Sequence, residues 1–115
     1  MTEQRRSAGN FIRDTDKDWE TVGKGVTRKV LGYDERVMMV RVAFEKGAVG
    51  EPHSHHHTQV THIESGVFEV TIGDETQTLG AADCFYIPPN FVHGVVCLEA
   101  GVLADVFSPM RADFI

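Results

Sequence analysis

The chain reads as an all-β protein, an antiparallel sandwich or barrel that closes on itself, and three features predict this. Short runs rich in β-branched and aromatic residues follow one another at close, regular spacing. Turn residues separate them, and no stretch carries an apolar stripe at the helical period.

From Trp19 onward the pattern is β. Val26–Leu31 is the first run, stopped by Gly32-Tyr33-Asp34; Val37–Phe44 follows and ends before Lys46-Gly47. Its alternation puts Val40, Val42 and Phe44 on one face and Met39, Arg41 and Ala43 on the other. His53–His55 and Val60–Glu64 come next, and Ser65-Gly66 divides the latter from Val67–Ile72, where Phe68, Val70 and Ile72 oppose Glu69 and Thr71. Gly73-Asp74 leads into Gln77–Leu79, Gly80 into Cys84–Ile87, and Pro88-Pro89-Asn90 into His93–Leu98. Ala100-Gly101 then precedes the last run, Val102–Phe107.

A chain of 115 residues is expected to form one domain. At that size it buries roughly 60–70% of its unfolded surface. Residues 1–10 are polar and without period, which reads as a flexible arm before a domain over 11–115. With 42% apolar and 24% charged residues, neither disorder nor a fibrous class is suggested. The formal charge of −6 argues against nucleic acid and against anionic membranes as partners. It also means that an acidic substrate needs local positive charge to hold it. Arg5 and Arg6 are followed by no apolar stretch, the longest apolar runs are too short for a bilayer, and Cys84 and Cys97 in apolar strands read as buried reduced thiols. A cytoplasmic location is the expectation.

The most informative segment is Gly47-x5-His53-x-His55-x3-Gln59-x6-Gly66, followed by Pro88-Pro89-Asn90-x2-His93. Residues two or four apart on a strand share a face, so His53, His55 and Gln59 can point into one cavity if the segment is extended. His93 would complete the set from a separate strand. Three imidazoles and an amide are all neutral, so they leave a divalent ion's charge uncancelled and favour an anionic ligand. A rival set of His55, His57 and Thr61 exists on the same parity, but threonine is a poor ligand and the glycine spacings favour the first. His56 and His62 fall on the opposite parity and are expected at the surface.

These two segments resemble the paired motifs of the cupin superfamily, Gly-x5-His-x-His-x3-Glu-x6-Gly and Gly-x5-Pro-x-Gly-x2-His. Gln59 replaces the usual Glu, Ala82 the first Gly of the second motif and Asn90 its later Gly. The resemblance implies a small antiparallel double-stranded β-helix, a jelly-roll-like barrel. A closer likeness runs from about Phe11 to Ile115. It rests on Gly25-Val26-x-Arg28-Lys29-Val30-Leu31, Met38-Met39-Val40, Phe44-Glu45-Lys46-Gly47-Ala48, His53-Ser54-His55, Ile87-Pro88-Pro89-Asn90-x-Val92-His93-Gly94-Val95-Val96 and Asp105-Val106-Phe107-x-Pro109-x-Arg111-x-Asp113-Phe114.

In these stretches the chain is similar to the KdgF family, single-domain cupins of pectin and alginate breakdown that carry Gln at the third ligand position. The likeness implies one bound divalent transition metal ion (Ni, Mn, Fe, Zn or Co), a homodimer, and conversion of a small anionic sugar, the cyclic 4,5-unsaturated uronate, to linear 5-keto-4-deoxyuronate. Such chemistry needs water added at C5, or protonation at C4, and collapse of the hemiketal to a ketone; a carboxyl group moves the protons and no redox step is needed.

Asp105 is the candidate acid/base, since an unpaired carboxylate in the run Val102–Phe107 would be costly to bury. Arg111 is the candidate clamp for the substrate carboxylate, and Phe107 the candidate apolar wall. Asp105 and Arg111 could equally pair with each other. Arg28, Arg41 and Tyr86 read either as further substrate contacts or as solvent-facing residues, and Trp19, Met38 and Met39 as packing residues. Another metal-dependent cupin enzyme, an oxygenase or isomerase, and a non-catalytic sugar-acid-binding cupin are the alternative functions.

Overall fold

Among the described residues, alternating side chains and turn residues build eight strands, and their pairing places the two histidine segments side by side. The structure, a computed structural model, describes residues 7–115. The strands are β1 (Glu20–Gly23), β2 (Val26–Asp34), β3 (Val37–Phe44), β4 (Val49–His53), β5 (Thr58–Ile72), β6 (Glu75–Gly80), β7 (Cys84–Ile87) and β8 (His93–Ser108). All pairings are antiparallel, in the order β1-β2-β3-β8-β5-β6, with β4 beside β8 and β7 beside β5. Two short 3-10 turns, Asp14–Asp16 and Ala112–Phe114, flank the strands. No helix among the described residues is long and apolar enough to cross a membrane.

The longest strands differ from the sequence expectation. Val60–Glu64 and Val67–Ile72 are one strand, β5, and His93–Leu98 and Val102–Phe107 are one strand, β8. Ser65-Gly66 and Ala100-Gly101 are therefore bends inside strands rather than chain reversals. The reason is local: the register shifts between Ile63 and Phe68, and the two bends lie backbone against backbone. A Cβ on Gly66, whose φ is 88°, would stand 2.6 Å from the Glu99 carbonyl oxygen and 2.7 Å from the Gly101 Cα. Bending lets each long strand serve two layers. The first half of β5 and the second half of β8 sit with β3 and β7; their other halves sit with β4 and β6.

The inward faces of these layers form the core. Phe44, Ile63, Phe68, Val70, Phe85, Ile87, Cys97 and Leu103 pack in one cluster, with Phe44 and Phe68 edge to face at 5.4 Å. Met38, Val40, Phe107 and Met110 form a second. The alternation read from β3 and β5 thus falls as expected, with Val42 and Ile72 half-buried at the rim. One packing expectation needs correction. Cys84 lies on the outward face of β7 and is exposed, because its neighbour Phe85 takes the inward position, while Met39 is exposed on the outward face of β3 that the alternation assigned to it. Trp19 stays 40% exposed and packs not in the core but outside the sheet, its ring 4.6 Å from the Lys29 ammonium and 5.5 Å from the Arg41 guanidinium. Cys97 is buried and free, as expected.

Two left-handed residues mark the turns where the family motif has glycine. Asn90 has φ 69° and Ala82 has φ 76°, so Ala82 carries a strain of about 1–2 kcal/mol that glycine would avoid. Of the expected N-terminal arm, residues 1–6 lie outside the described residues, and the Ala8 N–H donates to the Tyr33 carbonyl at 3.1 Å.

Candidate metal centre and adjoining pocket

His53 ends β4 and His93 opens β8, and the two are direct cross-strand partners. Gln59 lies on β5 opposite Phe107 of β8. The convergence has a different origin from the shared strand face expected. His55 sits in a loop between β4 and β5, and it is this change of direction that brings His53, His55 and Gln59 together. Asn90, in the turn before His93, donates its N–H to the His55 carbonyl at 2.8 Å and ties the two motif segments to each other.

The three rings of His53, His55 and His93 have centroids 4.4–5.5 Å apart, and one nitrogen from each lies within 4.8 Å of the others. His53 Nδ1 is 2.9 Å from the Glu51 carbonyl and His93 Nδ1 is 3.0 Å from the Phe91 carbonyl. A carbonyl can only accept, so both Nδ1 atoms carry the proton and both Nε2 lone pairs are free. This is how a protein orients imidazoles toward a metal. His55 Nε2 stands 3.0 Å from Gln59 Oε1. Two ligands at right angles on bonds of ~2.1 Å are also ~3.0 Å apart, so this pair has the spacing of neighbours on one ion. The donor set fits a divalent cation.

Burial favours the neutral form of His55 and His93. His55 is pulled down to about 4 by desolvation first, then by the charge of Arg111 and the nearness of His93. Desolvation likewise lowers His93, against the opposing bond to Phe91. Of the other histidines, His56 and His62 are exposed as expected. His57 is buried, but its Nε2 donates to the Met110 carbonyl at 3.1 Å and it stands outside the group of three.

A cavity of about 300 Å³ adjoins the histidines and is lined by His53, Gln59, His93, Asp105, Phe107 and Arg111, together with Arg28 and Phe114. That volume suits one small molecule. Among the described residues Asp105 is the only carboxylate on its wall, against two guanidiniums. Asp105 is buried, accepts a 2.7 Å bond from the Thr61 hydroxyl, and has its pKa pushed up to about 6 by desolvation, which outweighs the Thr61 bond and the Arg111 charge. Asp105 and Arg111 do not pair with each other. Arg111 donates instead to Asp113, at 3.2 and 3.0 Å, and this bond holds the Asp113 carboxyl below its ordinary range.

Arg28 faces the cavity, which the sequence left open, and its guanidinium lies 3.8 Å over the Phe114 ring while that of Arg111 lies 4.3 Å from the same ring. Phe114 had no signal in the sequence beyond the family resemblance. Arg41 is on the outside of the sheet, bonded to Asp14 and Glu64 at 2.7 Å each, and Tyr86 is exposed on the same outer side. A larger open groove of about 830 Å³ borders His53 between the β1–β2 and β3–β4 turns. It holds neither Asp105 nor Arg111; both candidates line the smaller cavity.

The family model described as a cupin domain matches residues 40–107. This chain is a cupin. It is 45% identical over 107 residues to the pectin degradation protein KdgF of Dickeya dadantii, covering 91% of this chain and 97% of that one, and so belongs with the KdgF family. Among solved structures, a RmlC-like cupin from Shewanella frigidimarina matches with TM-score 0.93 at 37% identity, over 96% of this chain and 99% of that one. KdgF from Halomonas sp. matches with TM-score 0.89, also at 37% identity, over 94% of this cupin and all (100%) of that chain.

Proposed function

We propose that this cupin converts cyclic 4,5-unsaturated uronates, of the kind released by pectin or alginate lyases, to linear 5-keto-4-deoxyuronate, using a divalent transition metal ion held by His53, His55, Gln59 and His93. The observation that carries the reading is the cavity wall: one buried carboxylate of raised pKa and two guanidiniums beside a cluster of three imidazoles, in a protein of net charge −6. Its 45% identity to a pectin degradation protein supports a sugar acid as substrate.

Each wall residue has a task in that scheme. Arg111 grips the substrate carboxylate, for which its fork is suited, while Asp113 and the Phe107 ring 5.1 Å away hold the guanidinium in place. Arg28 adds a second positive charge to the same wall. Phe107 and Phe114, edge to face at 5.8 Å, form the apolar side that keeps bulk water from the enol ether. Asp105 exchanges the proton with C4, and a pKa of about 6 lets it both hold and release that proton near neutral pH. The bound cation supplies Lewis acidity that stabilises the negative charge developing on the substrate oxygens.

The test is to incubate metal-replete protein with an unsaturated monouronate and follow loss of the conjugated double bond's absorbance. Acceleration above the spontaneous rate is expected, and its absence would remove the proposal. A homodimer is also proposed. Met39, Val106, Val60 and Tyr86 are successive cross-strand neighbours that form one apolar row on the outer sheet face, with Met39, Val60 and Tyr86 exposed, and an uncharged row of this kind can pair with its own copy about a two-fold axis. Sedimentation should give twice the chain mass, and Tyr86→Glu should halve it.

A further inference from the structure

The four proposed ligands differ in how they are aimed. His53 and His93 are fixed by backbone carbonyls, but Gln59 carries two nearly identical termini, an oxygen that attracts a cation and an NH2 that repels one. Something must select the oxygen. Gln59 is buried, and its Nε2 donates to Thr61 Oγ1 at 2.9 Å while its Oε1 faces His55. Thr61 is wholly inaccessible to solvent and donates its hydroxyl hydrogen to Asp105 Oδ1 at 2.7 Å. Thr61 and Asp105 are direct partners across β5 and β8, so this bond is set by strand register.

From this we infer that Thr61 is a positioning residue that sets which end of the Gln59 amide faces the cation. An ionised carboxylate can only accept, so the single hydroxyl hydrogen of Thr61 is committed to Asp105. Its oxygen must then accept, and the group able to donate to it is the Gln59 NH2. The amide is thereby turned with Oε1 toward His55 and the ligand cluster. A carboxylate at position 59 would need no such device, because both of its oxygens are acceptors. The inference rests on Gln59 being a ligand, as proposed above, but not on which sugar acid is turned over.

The test reads cation binding rather than activity, with Co2+ as the probe because its visible spectrum reports its ligands. Thr61→Val keeps the side-chain shape and removes the hydroxyl. It should weaken Co2+ binding by about 10–100-fold, the usual scale for losing a partner of a metal ligand, and alter the spectrum. Thr61→Ser, which keeps the hydroxyl, should restore both. In a Gln59→Glu background Thr61→Val should lose its effect on binding, which a merely structural role for Thr61 would not produce. Should Thr61→Val fail to fold, Thr61→Ala and Thr61→Ser give the same comparison. Unchanged Co2+ affinity without the hydroxyl overturns the inference, as does an equal loss in the Gln59→Glu background. Wild-type protein that binds no Co2+ removes the ligand assignment and this inference with it, whereas a protein that binds Co2+ but leaves unsaturated uronates unchanged removes only the proposed reaction.

Discussion

Asp105→Asn separates the burial of a charge from its chemistry. Asp105 is buried, and desolvation pushes its carboxyl pKa up to about 6 from an ordinary 3.8. The difference is about two pH units, worth about 3 kcal/mol at 1.36 kcal/mol per unit. Because the folded-state pKa is raised, the folded protein holds the proton more tightly than the unfolded chain. The ionised carboxylate therefore destabilises the fold above pH ~6, and that penalty fades as pH falls from ~6 to ~4. In urea denaturation of metal-free protein, wild type minus Asp105→Asn should become more favourable to wild type by up to about 3 kcal/mol between pH ~8 and pH ~4. Effects of the depressed His55 and His93 are present in both proteins and largely cancel in the difference. The same variant should lose turnover of unsaturated uronate while binding cation. A stability difference that is flat across pH would refute the buried, raised carboxyl, and retained turnover would take Asp105 out of the mechanism.

Three further outcomes are expected. Arg111→Lys removes the planar fork and its place against Phe107 and Phe114, so the KM for unsaturated uronate should rise by about tenfold or more, read from initial rates. Gln59→Glu adds a negative charge among the ligands, so cation affinity measured against a competing chelator should rise while substrate KM also rises. Gly101→Ala would drive a methyl group into the Ser65 carbonyl at the crossing of β5 and β8, and thermal unfolding should show a large drop in Tm or no folded protein.

The sequence was most legible where a residue's role is local. Alternation in β3 and β5 gave the inward side chains Val40, Phe44, Phe68 and Val70, because a pleated strand sends neighbours to opposite sides whatever it pairs with. It did not give the joining of short runs into β5 and β8. Gly66 and Gly101 look like turn glycines one at a time, and only their contact across the two bends shows why each strand continues. Cys84 was misplaced for a related reason: an apolar residue type alone does not say which side of a sheet it faces.

The spacing of His53, His55, Gln59 and His93, together with its likeness to the paired cupin motifs, marked the histidine and amide cluster. What the tertiary structure decided was how they meet and what surrounds them. A loop rather than a shared strand face turns His55 inward, and pairing across β4, β5 and β8 sets His53 against His93 and Thr61 against Asp105. Arg28 and Phe114 lie far from the histidines along the chain but share the cavity with them. Such groupings depend on strand register and on the desolvation that register creates, and neither is a property of any one segment.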